Sequence, residues 1–430
     1  MWEAPPLHVL VSSVNEPSNP IGMRMRATYY LRQAYTNATK ELPDSSSTFV
    51  HETKSDDSSD ASPSRSQSHP SSSSSHPSTP SETISTIIST LGHNLQTPTH
   101  GSLMRHEFAY VMGQLREPRC CPYLEQTLDD LGDDVMVRHE CAEALGAIAD
   151  PASLVRLEYH ANEDSRVEIS ETCRIAVDFL RWTLGEGTSG EGEGEEGRPE
   201  YDAPMACACM LSPYDSIDPA PPHPLHASIP TTQLGLNLRS PTHPLFERYR
   251  IMFSLRNRGS KDAVVELCET LVNDESSALL RHEIAYVLGQ MQHPVSINYL
   301  AESLRREGEH VMVRHEAAEA LGAIEGEWER CEVVLREFLG DEDVVVRESC
   351  EVALDAADYW GTTTNVTAGD DSIEEEAETK DDGVNGSVPV VSFAMAKAGF
   401  KDLAADVMPA GNVTQKRAVL NNHFNVLTSL

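Results

Sequence analysis

The sequence predicts an all-α protein, an α-solenoid built from two pseudo-symmetric halves of about four helical hairpins each. One observation is a succession of paired amphipathic helices with a period of about 33 residues, which is typical of helical-repeat proteins. The other is a duplication. RHEFAYVMGQL from Arg105 returns as RHEIAYVLGQM from Arg281, and VMVRHECAEALGAI from Val135 returns as VMVRHEAAEALGAI from Val311. Both pairs lie 176 residues apart, so one half of the chain is a copy of the other.

The repeats resemble HEAT repeats and their shorter relatives. An Asp in the turn between helices is followed by Val and Arg and then by an Ala-rich helix, as in 134–138 and 343–347. The arginines that precede each His-Glu pair, and the Gly and Ala positions of these helices, are interpreted as repeat scaffolding. Those arginines are Arg105, Arg138, Arg281 and Arg314.

The first half is predicted to span residues 1–184, with an insertion inside it. MRMRATYYLRQAY around Arg24 corresponds to RYRIMFSLRNRG from Arg248, an offset of 224 residues, which is 48 more than 176. The extra residues must lie between Leu31 and Arg105, where a Ser/Pro-rich tract occupies about 44–81. Because such a composition cannot bury enough apolar surface to offset chain entropy, we expect this insertion to be disordered.

The remaining boundaries follow from composition. An acidic and Pro-rich linker is predicted over 185–242, the second half over 243–360, and an acidic, largely disordered tail over 361–430. Gly and Pro disfavour long helices in the linker, and runs of like charge extend the chain.

Charge and cysteine content exclude several classes of protein. The net charge is −35, from 33 basic and 68 acidic residues, which disfavours binding to nucleic acid phosphates. The nine cysteines include no CxxC pair, so neither a zinc ribbon nor a disulfide framework is indicated, and free thiols are typical of a reducing compartment. The sequence contains no run of 18 apolar residues, so no membrane span is predicted. We expect a soluble, monomeric, cytoplasmic protein that can also enter the nucleus.

Four His-Glu pairs are the candidate functional residues. Within each half the two pairs lie 33 residues apart, so they occupy the same place in successive repeats and should lie side by side. The last repeat of each half has no His there, which shows that the solenoid itself does not need one. Folding the two halves together about a pseudo-twofold axis would bring all the pairs to one centre. The pairs are His106-Glu107, His139-Glu140, His282-Glu283 and His315-Glu316.

Imidazole and carboxylate together suit iron or manganese better than a thiolate-preferring ion. Four His and four Glu are enough for two metals with open positions, and two His with one carboxylate make a site that can bind oxygen or water. The two remaining Glu would hold a cation or orient the ligands. Residue types alone leave open which carboxylates bind metal.

Two other kinds of site are disfavoured. A zinc-protease HExxH motif needs a second His four residues on, and these positions hold Tyr110, Glu143, Tyr286 and Glu319. A cysteine nucleophile is also unsupported, since Cys141 follows one pair but Ala317 stands in the matching place.

The four RHE motifs, with AYVxGQ after two of them and AEALGAI after the other two, resemble the deoxyhypusine hydroxylases, which are HEAT-repeat non-haem di-iron monooxygenases. The resemblance covers roughly 20–38, 98–184 and 245–360. It implies O2-dependent hydroxylation of the deoxyhypusine side chain of translation initiation factor 5A to give hypusine. The insertion, linker and tail depart from the compact family pattern but remove no motif, so they bear on regulation rather than on activity.

The resemblance also implies a role for each residue. Two Fe2+ ions would serve as cofactors with O2 as co-substrate, and no catalytic residue beyond the metal centre is implied. Glu107 and Glu283 would bind the amines of the substrate or add metal ligands. One iron would be held by His106, His139 and Glu140, and the other by His282, His315 and Glu316.

The competing hypotheses are a non-catalytic HEAT-like scaffold and a HEAT-like relative of bilin lyases that binds a pigment-bearing protein. A scaffold predicts no bound iron and indifference to His→Ala substitutions. A di-metal hydrolase with the same ligands would be distinguished by the identity of its metal.

Overall fold

The structure is a computed structural model that describes residues 5–42, 79–184, 214, 216–324 and 326–363. Within these ranges the regular structure is helical, without a strand, and sixteen α-helices pair as four hairpins in each half. This confirms the predicted fold class. Most of the insertion, most of the linker and the tail beyond residue 363 lie outside the described residues. No described helix is both long and apolar enough to cross a bilayer.

The first half contains the first eight helices, joined in several places by short 3-10 turns that begin with proline. Their bounds are α1 Leu7–Asn15, α2 Ile21–Lys40, α3 Pro80–Leu95, α4 Ser102–Leu115, α5 Cys121–Asp129, α6 Val135–Ile148, α7 Leu154–Glu163 and α8 Val167–Thr183.

The second half repeats this arrangement. Its helices are α9 Thr231–Arg239, α10 Leu245–Arg258, α11 Lys261–Asn273, α12 Ala278–Met291, α13 Ile297–Arg305, α14 Val311–Ala323, α15 Trp328–Glu337 and α16 Val344–Thr363.

Three predicted boundaries differ from the structure. The linker was predicted to reach residue 242, but α9 lies within it. This helix forms because Leu234 and Leu238 are one turn apart and are buried where α9 packs on α10 and α11. Pro230 does not interrupt the helix, since it stands just before the first residue. The insertion ends earlier than 81, since Thr79 caps α3 and Pro80 begins it. The last helix continues to Thr363, three residues past the predicted end of the second half.

The even-numbered helices form an inner layer and the odd-numbered helices an outer one. Each inner helix packs on the next, from α2 through α8 and on to α16. The two halves meet at two interfaces, where α8 contacts α10 and α12, and where α16 contacts α2 and α4. The ring of inner helices is therefore closed. Polar contacts cross both interfaces, an ion pair of Arg26 with Asp355 and a hydrogen bond from Ser277 Oγ to Glu171 Oε2 at 2.8 Å.

A repeated arginine fixes the register of the inner helices. Arg138 in the first turn of α6 donates to the carbonyl of Leu128 at the end of the preceding outer helix (2.9 Å) and pairs with Asp164 of the next turn (2.5 Å). Arg105, Arg248 and Arg314 bond in the same way to a carbonyl ten residues back and to a carboxylate 26–28 residues ahead. Hydrogen bonds to charged groups contribute about 1.5–3 kcal/mol each. The interpretation of Arg105, Arg138 and Arg314 as scaffolding is confirmed. Arg281 also bonds within the scaffold, but to the carbonyl of Asp274, seven residues back, and to the carboxylate of Glu309.

Glycines bring the inner helices into close contact. A Cβ placed on Gly113 of α4 would lie 2.9 Å from the Cα of Ala144 in α6. A Cβ placed on Gly289 of α12 would lie 3.1 Å from the Cα of Ala320 in α14. The distance between the helices that carry the His-Glu pairs therefore leaves no room for a Cβ at Gly113 and little room for one at Gly289.

The state of the cysteines agrees with the expectation of free thiols. All seven cysteines in the described part of the chain are free and buried.

Replacing residues 45–78 with a short Gly/Ser linker should leave the unfolding free energy and the metal content unchanged, because α2 and α3 are retained whole. Removing Thr79–Ser81 as well should lower stability by about 1 kcal/mol, since the Thr79–Glu82 capping box is lost. Urea unfolding of both variants measures the difference. A large loss of stability in the shorter deletion would mean that the insertion is structural.

Gly113→Ala should destabilise the protein by about 1–3 kcal/mol, although alanine favours helix by about 1 kcal/mol, because the new methyl group meets the backbone of α6. Thermal unfolding of metal-free and metal-loaded protein should show both a lower Tm and a smaller stabilisation by metal. Gly340→Ala is the control, since among the described residues no atom beyond Gly340 and its two chain neighbours lies within 4 Å of its Cβ position. Equal effects of the two substitutions would contradict this account of the helix contact.

Candidate metal centre

The four histidines occupy equivalent places on four inner helices. Each is the fifth residue of its helix, in α4, α6, α12 and α14, and is followed by its glutamate. All four are buried, and His139 and His315 are fully inaccessible. Since residues 5 and 9 of a helix share one face, the side chain four residues after each His points to the same side. The histidines are His106, His139, His282 and His315.

The imidazole rings converge between the two halves. Ring centroids lie 5.4 Å apart for His106 and His139, and 5.3 Å apart for His282 and His315. Across the halves His106 is 5.2 Å from His315, and His139 is 5.2 Å from His282. Repeats in one half and the contact between halves thus place the rings in a single cluster.

Carboxylates surround the rings in a pattern that follows the duplication. Glu140 Oε2 lies 3.1 Å from His106 Nε2, and in the other half Glu316 Oε2 lies 3.5 Å from His282 Nε2. Glu107 Oε1 is 3.2 Å from Nδ1 of its own neighbour His106. Each half therefore joins a carboxylate of one repeat to a histidine of the repeat before it.

In the part of the chain that the structure describes, three groups of donor atoms lie close enough to share an ion, each with its atoms within 4.8 Å of one another. The predicted set of the second half is one such group. The predicted set of the first half is divided between two groups that share His139, one of which includes His282 and the other Glu143. The groups are His282, His315 and Glu316; His106, His139 and His282; and His139, Glu140 and Glu143.

The ring nitrogens are unusual in lacking hydrogen bonds. Nε2 of His106 and both ring nitrogens of His139, His282 and His315 have no hydrogen-bond partner among the described residues. The carboxylates near His106 and His282 are at ion-pair distance but do not meet the geometry of a hydrogen bond. An unsatisfied buried polar group costs about 1–3 kcal/mol, so seven such nitrogens in one cluster call for a ligand.

Burial determines the protonation of the site. It lowers the pKa of His139, His282 and His315 well below the usual value, and neighbouring histidines lower it further. For His106 burial acts in the same direction, but the carboxylates of Glu140 and Glu107 prevail and raise its pKa. Three of the rings are therefore neutral, the form in which imidazole binds a metal.

The same burial raises the pKa of several carboxyl groups. Those of Glu283 and Glu319 rise to about 8, through burial first and then the charge of Glu140 and Glu107 respectively. Burial also raises the pKa of Glu143 and Glu316 well above the usual value, with further contributions from neighbouring glutamates. So many buried carboxyl groups remain ionised together only if cations lie among them.

Hydroxyl groups orient two of the carboxylates. Tyr29 of α2 donates to Glu107 Oε2 at 2.7 Å, and Ser349 of α16 donates to Glu319 Oε1 at 3.2 Å. Tyr110 and Tyr286 face each other across the halves with their hydroxyls 3.2 Å apart. The first and fourth repeats, which carry no His-Glu pair, thus contribute residues that hold the site.

Comparison with known proteins gives the family. Deoxyhypusine hydroxylase of Rattus norvegicus is 45% identical over 258 residues, 60% of this chain and 77% of that protein. The relative in Chaetomium globosum is 41% identical over 267 residues, with 72% of it covered. The chain belongs to the deoxyhypusine hydroxylase family. The resemblance that the RHE motifs indicated is confirmed.

Structure and repeat models agree with membership of this family. The solved structure of human deoxyhypusine hydroxylase in complex with glycerol matches with a TM-score of 0.60 and 34% identity, over 81% of this chain and 94% of that one. A model of HEAT repeats matches residues 238–322, and one of the PBS lyase HEAT-like repeat matches 137–158 and 313–341. The lyase likeness is confined to the repeat, so the relatives favour the hydroxylase family over the bilin-lyase alternative.

A cleft between the two halves is lined by His106, His282 and the neighbouring glutamates. The sequence analysis did not identify all of its lining residues. The residues four positions after each His entered only as a reason to reject an HExxH motif, yet all four line the cleft. Their type alternates as Tyr, Glu, Tyr, Glu in both copies of the duplication, a signal that helical periodicity would have detected. They are Tyr110, Glu143, Tyr286 and Glu319. The residues 217–219, from the predicted linker, also line it.

The residues fit the metals that the family implies. Neutral buried imidazoles with free lone pairs, beside carboxylates that burial would otherwise protonate, form a donor set for divalent cations with nitrogen and oxygen ligands. Sulfur is not among the donors of the three groups. A cation placed there would supply partners for both the orphaned nitrogens and the crowded oxygens.

His139→Leu should raise the stability of the metal-free protein by about 1–3 kcal/mol, because it removes two unsatisfied buried nitrogens at similar volume, while abolishing the stabilisation that metal gives. His160→Leu is the matched control. That ring is equally buried, but its nitrogens contact Asp129 and Asp164, each at 3.0 Å, so its loss should destabilise. Urea unfolding with and without metal gives both values. If His139→Leu weakened the metal-free protein as His160→Leu does, the nitrogens would have partners in the protein itself.

Proposed function

We propose that this protein is a di-iron deoxyhypusine hydroxylase that uses O2 to convert deoxyhypusine on translation initiation factor 5A to hypusine. The observation that carries the proposal is the cluster of four buried histidines with unpaired ring nitrogens, in a chain of the deoxyhypusine hydroxylase family. A solenoid scaffold has no need for such a cluster, which lowers stability, so the competing scaffold hypothesis leaves it unexplained.

We assign three ligands to each iron. Support comes from the compact group of the second half and from the contact of His106 with Glu140 in the first. Two histidines and one carboxylate leave open positions on a non-haem iron. Bound iron would supply the activation of O2 for attack on an unactivated C–H bond, which no amino-acid side chain provides. The ligands would be His106, His139 and Glu140 for one ion, and His282, His315 and Glu316 for the other.

Glu107 and Glu283 are assigned to the substrate. Both line the cleft beside the rings, and the deoxyhypusine side chain carries protonated nitrogens that pair with carboxylates. The hydroxyl of Tyr29 holds Glu107 in one orientation, so this carboxylate can fix the position of an ammonium group. The protein's part in the reaction is then to align the long side chain with the metal positions and to exclude water from it.

The cellular setting is also proposed. Free buried cysteines match a reducing compartment, so we place the reaction in the cytoplasm, with entry to the nucleus allowed. We also propose that the enzyme is a monomer. All four His-Glu pairs lie outside the insertion, so we expect iron binding and activity not to require it.

Metal content tests the function directly. Purified protein should contain about two irons per chain, show an O2-dependent visible absorption band, and hydroxylate the deoxyhypusine form of the factor. His139→Ala should lose iron and activity together. Zinc or manganese in place of iron would favour a di-metal hydrolase. A wild-type protein without metal, or a His139→Ala variant that kept all of its metal, would favour the scaffold hypothesis.

Glu107→Gln and Glu283→Gln should retain most of the iron and raise KM for the factor by about tenfold or more, because a charge-assisted hydrogen bond to an ammonium is replaced by a neutral one. Steady-state kinetics and iron analysis on the same preparations separate the two effects. Glu302→Gln, on the exposed face of α13, is the control. Loss of iron in step with activity would instead make these carboxylates metal ligands.

A further inference from the structure

A short piece of the chain between the two halves forms one wall of the cleft. Residues 216–219, which we call the wall segment, precede the 3-10 turn at Pro224–Ser228 and the helix α9. Its residues Ile217, Asp218 and Pro219 line the same cleft as the metal-site residues and the carboxylates of Glu107 and Glu283. The proposed function uses none of the three.

A buried ion pair holds the wall segment in place. Arg256 of α10 donates from Nη1 to Asp218 Oδ1 at 2.7 Å and from Nη2 to Asp218 Oδ2 at 2.5 Å. The side chain of Arg256 is 0% exposed and that of Asp218 is 9% exposed. A bidentate pair of this kind fixes both the position and the orientation of the carboxylate.

A second set of contacts extends the attachment. Arg256 Nη1 also donates to Gln290 Oε1 at 3.0 Å, and Gln290 Nε2 donates to Ser216 Oγ at 3.0 Å. The guanidinium group lies over the rings of Tyr214 and Phe253, 5.0 Å and 4.7 Å from their centroids. The wall segment is thus held at Asp218 by α10 and at Ser216 by α12, and α12 is the helix that carries His282 and Glu283.

We propose that the wall segment is a specificity-determining part of the deoxyhypusine cleft, with Ile217 and Pro219 packing on the substrate side chain and Asp218 and Arg256 acting as positioning residues. This inference rests on the proposed function and deepens it. The wall segment adds the apolar side chains of Ile217 and Pro219 to a cleft that is otherwise lined largely by carboxylates, histidines and tyrosines. A long alkyl chain with protonated nitrogens needs both kinds of surface.

Two physical arguments favour this role over a purely structural one. A buried ion pair adds little net stability compared with an apolar pair of similar size, but it imposes one geometry. That geometry is imposed at the cleft, on a segment whose proline has a fixed φ and whose neighbours on the chain are rich in proline. The cost of burying Arg256 is therefore explained if the position of the wall matters for the substrate.

Asp218→Asn tests the proposal. It should raise KM for the deoxyhypusine form of the factor by about tenfold, while kcat and iron content change little, because a charge-assisted bond is lost but no metal ligand is altered. Asp218→Glu, which restores the charge, should recover most of the affinity. Glu337→Gln is the control, since it removes the partner of Arg305 in an exposed ion pair between outer helices.

Asp218→Asn leaves the charge of Arg256 buried, so a second variant guards against loss of folding. The double variant Asp218→Leu, Arg256→Met replaces the pair with apolar groups and should keep its stability and iron. It should still show the raised KM, weaker binding of the deoxyhypusine factor to metal-free protein, and faster proteolysis within 214–222. A folded, iron-containing double variant with unchanged KM, binding and proteolysis would overturn the proposal. Wild-type protein that binds no iron and does not hydroxylate the factor would instead overturn the proposed function.

Discussion

The distance between neighbouring inner helices is the constraint on which the rest of the structure depends. Gly113 against Ala144 and Gly289 against Ala320 bring the helices of each half close enough for their imidazole rings to stand 5.4 and 5.3 Å apart. Arginines such as Arg138 then fix the register, so that the fifth residue of one helix lies beside the fifth residue of the next. A bulkier contact would separate the rings without changing any of the candidate donor residues.

The centre that this packing creates is unfavourable in itself. Buried nitrogens without partners and buried carboxylates with a raised pKa both favour opening of the site, so the surrounding fold must hold it closed. The closed ring of inner helices does this. Apolar residues pack along each hairpin, and contacts such as Arg26 with Asp355 and Ser277 with Glu171 join the halves on both sides of the cluster. The packing of the repeats therefore provides the stability that the buried cluster lowers.

Much of this arrangement could be predicted from the sequence, because it depends on local periodicity and on the duplication. The helical hairpins, the scaffold arginines and the positions of the His-Glu pairs all follow from spacing along the chain. The start of the second half did not, because proline-rich composition before Leu234 hid a short helix whose buried residues Leu234 and Leu238 pack where it meets α10 and α11. Glu143 and Glu319 were also missed, since they were considered only as absent histidines. Residues 217–219 could not be found at all, because their contact with Arg256 joins distant parts of the chain.

The duplication explains the positions of the four His-Glu pairs, but the proposed substrate is not symmetric, and neither are the surroundings of the two halves. Tyr29 orients Glu107, whereas the duplicated position in α10 is Phe253, which has no hydroxyl to offer Glu283. On that second side the wall segment stands beside the cleft instead. One half therefore holds its carboxylate by a hydrogen bond, and the other presents its carboxylate next to an apolar wall. Such a difference would give the proposed substrate, a linear side chain with nitrogens at unequal positions, a single direction in which to bind, whereas a strictly twofold site would not.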